Sequence, residues 1–121
     1  MNLTKTEEQL MQYLWVLKKA FMKDLLDAYP EPKPATTTIA TLLKRMIDKD
    51  FVAYERLGNS RQYYPLVSKR DYFSRHLKGM IKNFFDDSPA QFASFFTEDV
   101  DLSKEELAEL RAMIDNKLKD E

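Results

Sequence analysis

Residues 35–66 read ATTTIATLLKRMIDKDFVAYERLGNSRQYYPL, and part-way along them the hydrophobic pattern changes its period. In the first half, Ile39, Leu42, Leu43, Met46 and Ile47 follow one another at spacings of 3, 1, 3 and 1, the single apolar stripe of a helix over 35–49. In the second half, Phe51 to Leu57 and Arg61 to Leu66 are rich in β-branched and aromatic residues. Between them Gly58-Asn59-Ser60 tolerates the positive φ of a tight turn, so the pair reads as a β-hairpin. Two strands alone are marginal in water, so this hairpin has to lean on helices.

Working outward, helix starts recur. Thr4-Lys5-Thr6-Glu7, Ser68-Lys69-Arg70-Asp71, Ser88-Pro89-Ala90-Gln91 and Ser103-Lys104-Glu105-Glu106 all have the spacing of a capping box. Further helices are predicted near 4–17, 21–28, 68–85, 89–97 and 103–119. Tyr29-Pro30-Glu31-Pro32-Lys33-Pro34 is a proline-stiffened loop that cannot continue a helix. Trp15, with Leu10, Leu14 and Leu17, is expected to pack inward. The predicted fold is mostly α with a small β-hairpin: a winged helix-turn-helix domain over 1–67, followed by a helical dimerisation region over 68–121.

The chain has 121 residues, 44% of them apolar and 32% charged, enough for a core but too polar for a membrane-embedded protein. Its longest apolar run, Tyr13 to Leu17, is far too short to span a bilayer, and no secretory segment follows Met1, so a cytoplasmic location is expected. With no cysteine, disulfides, thiol nucleophiles and cysteine metal sites are excluded. The single histidine, His76, excludes a multi-histidine metal site and reads as a surface residue. Two glycines cannot build a phosphate-cradling loop, and no nucleophile and base are paired in a recognisable motif; neither cofactor nor enzymatic activity is expected. The net charge of -1 conceals an uneven distribution. Residues 1–67 carry ten Lys/Arg against eight Asp/Glu, residues 68–85 five against one, and residues 86–121 four against eleven. The basic first part is compatible with a nucleic-acid face.

The helix at 35–49 carries Thr36, Thr37, Thr38 and Thr41 opposite its apolar stripe, with Lys44 further along. Threonine is a poor helix former, so helix propensity does not account for them. Hydroxyls can bond base edges or phosphates, threonine methyls can meet the thymine methyl, and a helix N-terminus favours phosphate. A recognition helix uses this end against bases. The alternative is that one threonine caps the helix and the others are exposed incidentally. Arg61, just past the turn, and Arg56 on the other strand stand where a wing meets phosphate. Arg45, beside the apolar stripe, either supports backbone contacts or makes a structural ion pair.

Beyond the hairpin, Phe73, Leu77, Ile81, Phe84 and Phe85 line the fourth helix and Phe92, Phe95 and Phe96 the fifth. Leu107, Leu110, Ile114 and Leu118 follow at spacings of 3, 4 and 4 on the sixth. This is more apolar surface than so short an arm can bury alone, which points to a homodimer; folding back as a monomer is the alternative.

Several strings carry a family resemblance. Leu3-Thr4-Lys5-Thr6-Glu7 through Tyr13-Leu14-Trp15, and Thr37 to Met46 leading into Lys49-Asp50-Phe51-Val52, resemble the penicillinase and methicillin-resistance repressors. So do Arg61-Gln62-Tyr63-Tyr64-Pro65-Leu66-Val67 and Asp101-Leu102-Ser103 with Glu106-Leu107-Ala108-Glu109-Leu110, a resemblance covering about residues 3 to 118. It implies a homodimeric winged-helix repressor of the antibiotic-resistance type that binds an inverted-repeat double-stranded DNA operator. It also implies induction through a membrane sensor-protease that triggers cleavage in the dimerisation arm. The family's asparagine–phenylalanine scissile bond falls on Phe95–Phe96, where Phe95 replaces the asparagine. The cysteine motif of the family's copper-responsive branch is absent. A winged-helix protein-interaction module without sequence-specific DNA binding is the alternative function.

Overall fold

The computed structural model describes residues 3–120; residues 1, 2 and 121, at the outer ends of the two expected domains, lie outside the described residues. The chain runs α1 (Lys5–Leu17), α2 (Met22–Ala28), α3 (Thr36–Asp48), β1 (Val52–Leu57), β2 (Ser60–Pro65), α4 (Lys69–Phe84), α5 (Pro89–Asp99) and α6 (Lys104–Lys119). This is the winged helix-turn-helix expected, with helical elements after it. Two compact units meet inside α4, one ending at His76 and the other beginning at Leu77.

The core of the first unit comes from stripes readable in the sequence. Leu10, Met11 and Leu14 of α1, Leu25 of α2, and Ile39, Leu42, Leu43 and Met46 of α3 are buried, with Phe51, Val52, Tyr63 and Tyr72 closing over them. Trp15 packs against this cluster, half-buried, and its Nε1 donates to the Val67 carbonyl at 2.8 Å. Leu17, expected inside, is exposed, because α1 ends there and Lys18 turns the chain away at φ 70°.

β1 and β2 pair antiparallel, with Leu57 opposite Ser60. The turn is therefore the two residues Gly58-Asn59, and Ser60 belongs to the strand. Gly58 takes φ 63° while Asn59 does not go positive, the pattern of a type II′ hairpin turn. Mid-way along β2 the hairpin gains a one-residue third strand. The Ala20 amide donates to the Tyr63 carbonyl at 2.9 Å, and the Tyr63 amide donates back at 2.7 Å.

Of the four expected capping boxes, those at Thr4/Glu7 and Ser103/Glu106 are reciprocal, whereas Ser68 and Ser88 accept from Asp71 and Gln91. Glu7 does more than cap. Its side chain is fully buried, and Lys49, the C-cap of α3, donates to both carboxylate oxygens at 2.8 and 3.0 Å. Burial alone would raise the Glu7 carboxyl, but the Lys49 hydrogen bond, the Thr4 amide and the Lys49 charge together hold it below its ordinary value of 4.5.

The second unit has no comparable interior. Phe85 meets Phe92 and Phe95 at ring distances of 5.6 and 5.5 Å, and Phe92 stacks on Phe96 at 5.9 Å. No described residue of α5 or α6 is buried.

Because the Glu7 pKa is depressed in the fold, the pair's contribution is fully present above about pH 4.5 and is lost as pH falls through the lower folded value. Lys49→Met leaves the buried carboxylate without its cation and should cost about 3 kcal/mol at neutral pH. That penalty should shrink on acidification, as Glu7 takes up a proton. Urea unfolding of both proteins between pH 7 and pH 4 measures this, and a pH-independent penalty would refute the assignment.

Candidate nucleic-acid interface

α3 begins after Ala35, which has extended φ/ψ and no side-chain capping bond. None of the four threonines is therefore the cap. Their placement follows from the stripe on the other side: with Ile39, Leu42, Leu43 and Met46 buried, Thr36, Thr37, Thr38 and Thr41 are all exposed. Among the described residues, the hydroxyls of Thr36, Thr37 and Thr38 make no hydrogen bond to the protein, and all three remain available to an incoming partner. Thr41 differs, since its Oγ1 donates to the Thr37 carbonyl at 2.9 Å. It can meet a partner only with its methyl and its lone pairs. Without a side-chain cap, the first amides of α3 also keep their capacity to donate to an anion.

Lys44 and Arg45 fall out unevenly. Lys44 lies 3.5 Å from Asp48, a highly exposed pair of small energetic weight. Arg45 is exposed and, among the described residues, has no carboxylate within ion-pair distance, so the structural ion pair considered for it is not formed. It lines an open groove of about 440 Å³ together with Thr38, Thr41 and Leu42 of α3, Thr4, the N-cap of α1, and Thr6 within it. Thr4 and Thr6 thus extend the hydroxyl face beyond α3. In the sequence both are absorbed into a capping signal, and no spacing rule connects them to Thr38 thirty-odd residues away.

On the wing, the register places Arg56 directly opposite Arg61, both exposed. Like charges facing each other across two strands are destabilising unless an anion lies between or near them. Arg61 is held over the Tyr54 ring at 4.5 Å, a cation–π contact that fixes its position without neutralising it.

The residues expected to dimerise are largely exposed in the single chain. Leu77, Phe84, Leu107, Ile114 and Leu118 are open to solvent, with Phe84 at 79% and Leu118 at 69%. Ile81, Phe85, Phe92 and Leu110 are half-buried. Phe73 is shared: 40% exposed, it also packs against Trp15 and Tyr72 at ring distances of 6.0 and 5.3 Å. Phe95 is exposed and Phe96 half-buried, both inside α5. Among the described residues no cluster of side chains could hold a metal ion, and no helix is long and apolar enough to cross a membrane.

A sequence profile described as penicillinase repressor matches residues 3–116. The methicillin resistance regulatory protein MecI of Staphylococcus aureus (strain N315) is 27% identical over 117 residues, 96% of this chain and 95% of that protein. The protein of the same name from Mammaliicoccus sciuri is 26% identical over the same shares. Among solved structures, a mutant MarR from E. coli superposes with a TM-score of 0.51 over 97% of this chain and 79% of that one, at 10% identity, a likeness of fold alone.

If the opposed wing arginines are kept for an anionic partner and not for stability, Arg56→Gln should leave the free protein as stable as before or more stable by up to about 1 kcal/mol. Thermal unfolding of the two proteins checks this. A clear loss of stability would mean that Arg56 is structural.

Proposed function

The chain belongs to the penicillinase repressor family, and on that premise we propose that it is a homodimeric transcriptional repressor, each protomer binding half of an inverted-repeat DNA operator in the cytoplasm. The observation that carries this reading is the N-terminal face of α3, where exposed threonine hydroxyls are spent neither on capping nor on neighbouring side chains. Thr37, Thr38 and Thr41 read base edges, Thr41 as acceptor and methyl contact only. Thr36, Lys44, Arg45 and Arg61 hold the phosphate backbone. Phosphate contacts set the register and base contacts the sequence.

In this reading residues 1–67 bind DNA and residues 68–121 dimerise. The exposed apolar residues of α4, α5 and α6 support a second copy as what covers them, since a lone chain would leave Phe84, Ile114 and Leu118 in water. Dimerisation links two half-sites, so that the second binding event is intramolecular. Proteolysis in the arm, downstream of a membrane sensor, relieves repression by undoing that linkage. Phe95–Phe96 is the bond the family pattern selects. The phenylalanine at 95 calls for a protease specificity different from that of the asparagine-bearing relatives.

A band-shift against the DNA upstream of the protein's own gene should show binding that weakens as salt rises, with log K falling by about 0.9 per phosphate contact for each unit of log salt. Replacing Thr37 and Thr38 together by alanine should abolish sequence preference while keeping the fold, because alanine is the better helix former. Salt-insensitive or absent binding at micromolar protein would sink the proposal. Light scattering at tens of micromolar should give twice the chain mass, and a monomer mass would remove the dimer from it.

A further inference from the structure

We propose that the cavity beside the C-terminal end of α3 is a binding site for a small aromatic monocarboxylate. Every residue lining it belongs to the first compact unit. Its volume, about 320 Å³, lies at the lower end of the range for small-molecule sites. Part of its lining is apolar: Phe51, Val67 and Tyr72, with the Phe51 and Tyr72 rings edge to face at 5.9 Å. The rest of the lining is polar: Lys49 and Arg75, the His76 imidazole, and one acid, Asp50.

Lys49, His76 and Arg75 are not equivalent. Lys49 is committed to Glu7. His76 stacks on Tyr72 at 6.0 Å and extends the aromatic wall. Arg75, exposed, has no carboxylate within ion-pair distance among the described residues, so its guanidinium fork is an unpaired member of the lining. A planar carboxylate is the group that fork accepts in two parallel hydrogen bonds, and a flat apolar body is what Phe51 and Tyr72 accept. Asp50 on the rim repels a second negative charge and limits the ligand to one carboxylate. A DNA phosphate is not the natural occupant. The threonine face lies at the opposite end of α3, which at 13 residues is about 20 Å long.

The position gives such a ligand leverage. Lys49 is the C-cap of α3, Asp50 at φ 64° is the turn into the wing, and Phe51 is the residue from which β1 departs. A ligand here contacts the connection between recognition helix and wing.

Trp15 supplies the readout. It is the chain's single tryptophan, bonded to the Val67 carbonyl and 5.9 Å from the Tyr72 ring, behind two residues of the cavity wall. Titrating the full chain with phenylacetate should change Trp15 emission saturably. The neutral analogue 2-phenylethanol and inorganic phosphate at the same concentrations should not. Arg75→Gln should weaken phenylacetate binding about tenfold or more, as expected for losing a charge-assisted hydrogen bond, whereas Arg56→Gln should leave it unchanged. Circular dichroism on both variants confirms that they fold. No saturable response, an equal response to phosphate, or indifference to Arg75→Gln would each overturn the proposal. No DNA is present in the measurement, so its outcome is independent of the repressor reading.

Discussion

One buried carboxylate ties together the ends of the two helices on which the rest of the first unit is hung. Glu7 satisfies an amide at the start of α1 and, from the same oxygens, takes both hydrogen bonds of the ammonium that ends α3. The angle at which α3 leaves the body, and the point at which the chain turns into β1, are therefore referred to α1 through a single fully buried group. A buried charge tolerates little displacement, because separating it from its partner in low dielectric is expensive. Apolar packing among Leu10, Leu14, Ile39, Leu43 and Met46 supplies the bulk of the stabilisation, yet greasy contacts are forgiving about rotation and sliding. The Glu7–Lys49 pair removes that freedom at the C-terminal end of α3, the end opposite the proposed reading face.

How much of this could be read beforehand depends on range. The change of period between Ile47 and Phe51 is a local signal, and it located α3 and the hairpin to within a residue or two. Caps at Thr4 and Ser103 are local too, and both formed reciprocally. The turn at Gly58-Asn59 was read one residue too long because Ser60 suits a turn as well as an edge strand; only the register, with Leu57 opposite Ser60, decides between them. Contacts that join distant parts of the chain had no local signature. Glu7 and Lys49 are 42 residues apart, and Ala20, an unremarkable small residue between two helices, is the partner of Tyr63. The same holds for the candidate site. The threonines of α3 stand out because their number defies helix propensity, whereas Thr6 shares their groove through tertiary packing alone.

The two units also differ in how they use apolar residues. In the first, large side chains converge on a common interior, and the exposed ones are scattered. In the second, Phe85, just past the end of α4, pairs with phenylalanines of α5, while α6 leaves Met113, Ile114 and Leu118 exposed in the single chain. Residues 86–121 also hold eleven of the twenty acidic side chains. That charge keeps the arm from competing with the basic first part for a polyanion, so any association through the arm has to rest on its apolar residues.

The paired hydrogen bonds between Ala20 and Tyr63 make the hairpin a cantilever. It is clamped to the body mid-way, at Tyr63, while among the described residues the span from Arg61 back through Gly58 to Arg56 has no backbone hydrogen bond outside the hairpin itself. A beam held at one end is stiff near the clamp and compliant at the tip, so thermal bending should concentrate in the segment that carries the two arginines. In the proposed DNA-bound reading, such a wing could adapt to a groove of varying width while the clamped part of the hairpin keeps its place.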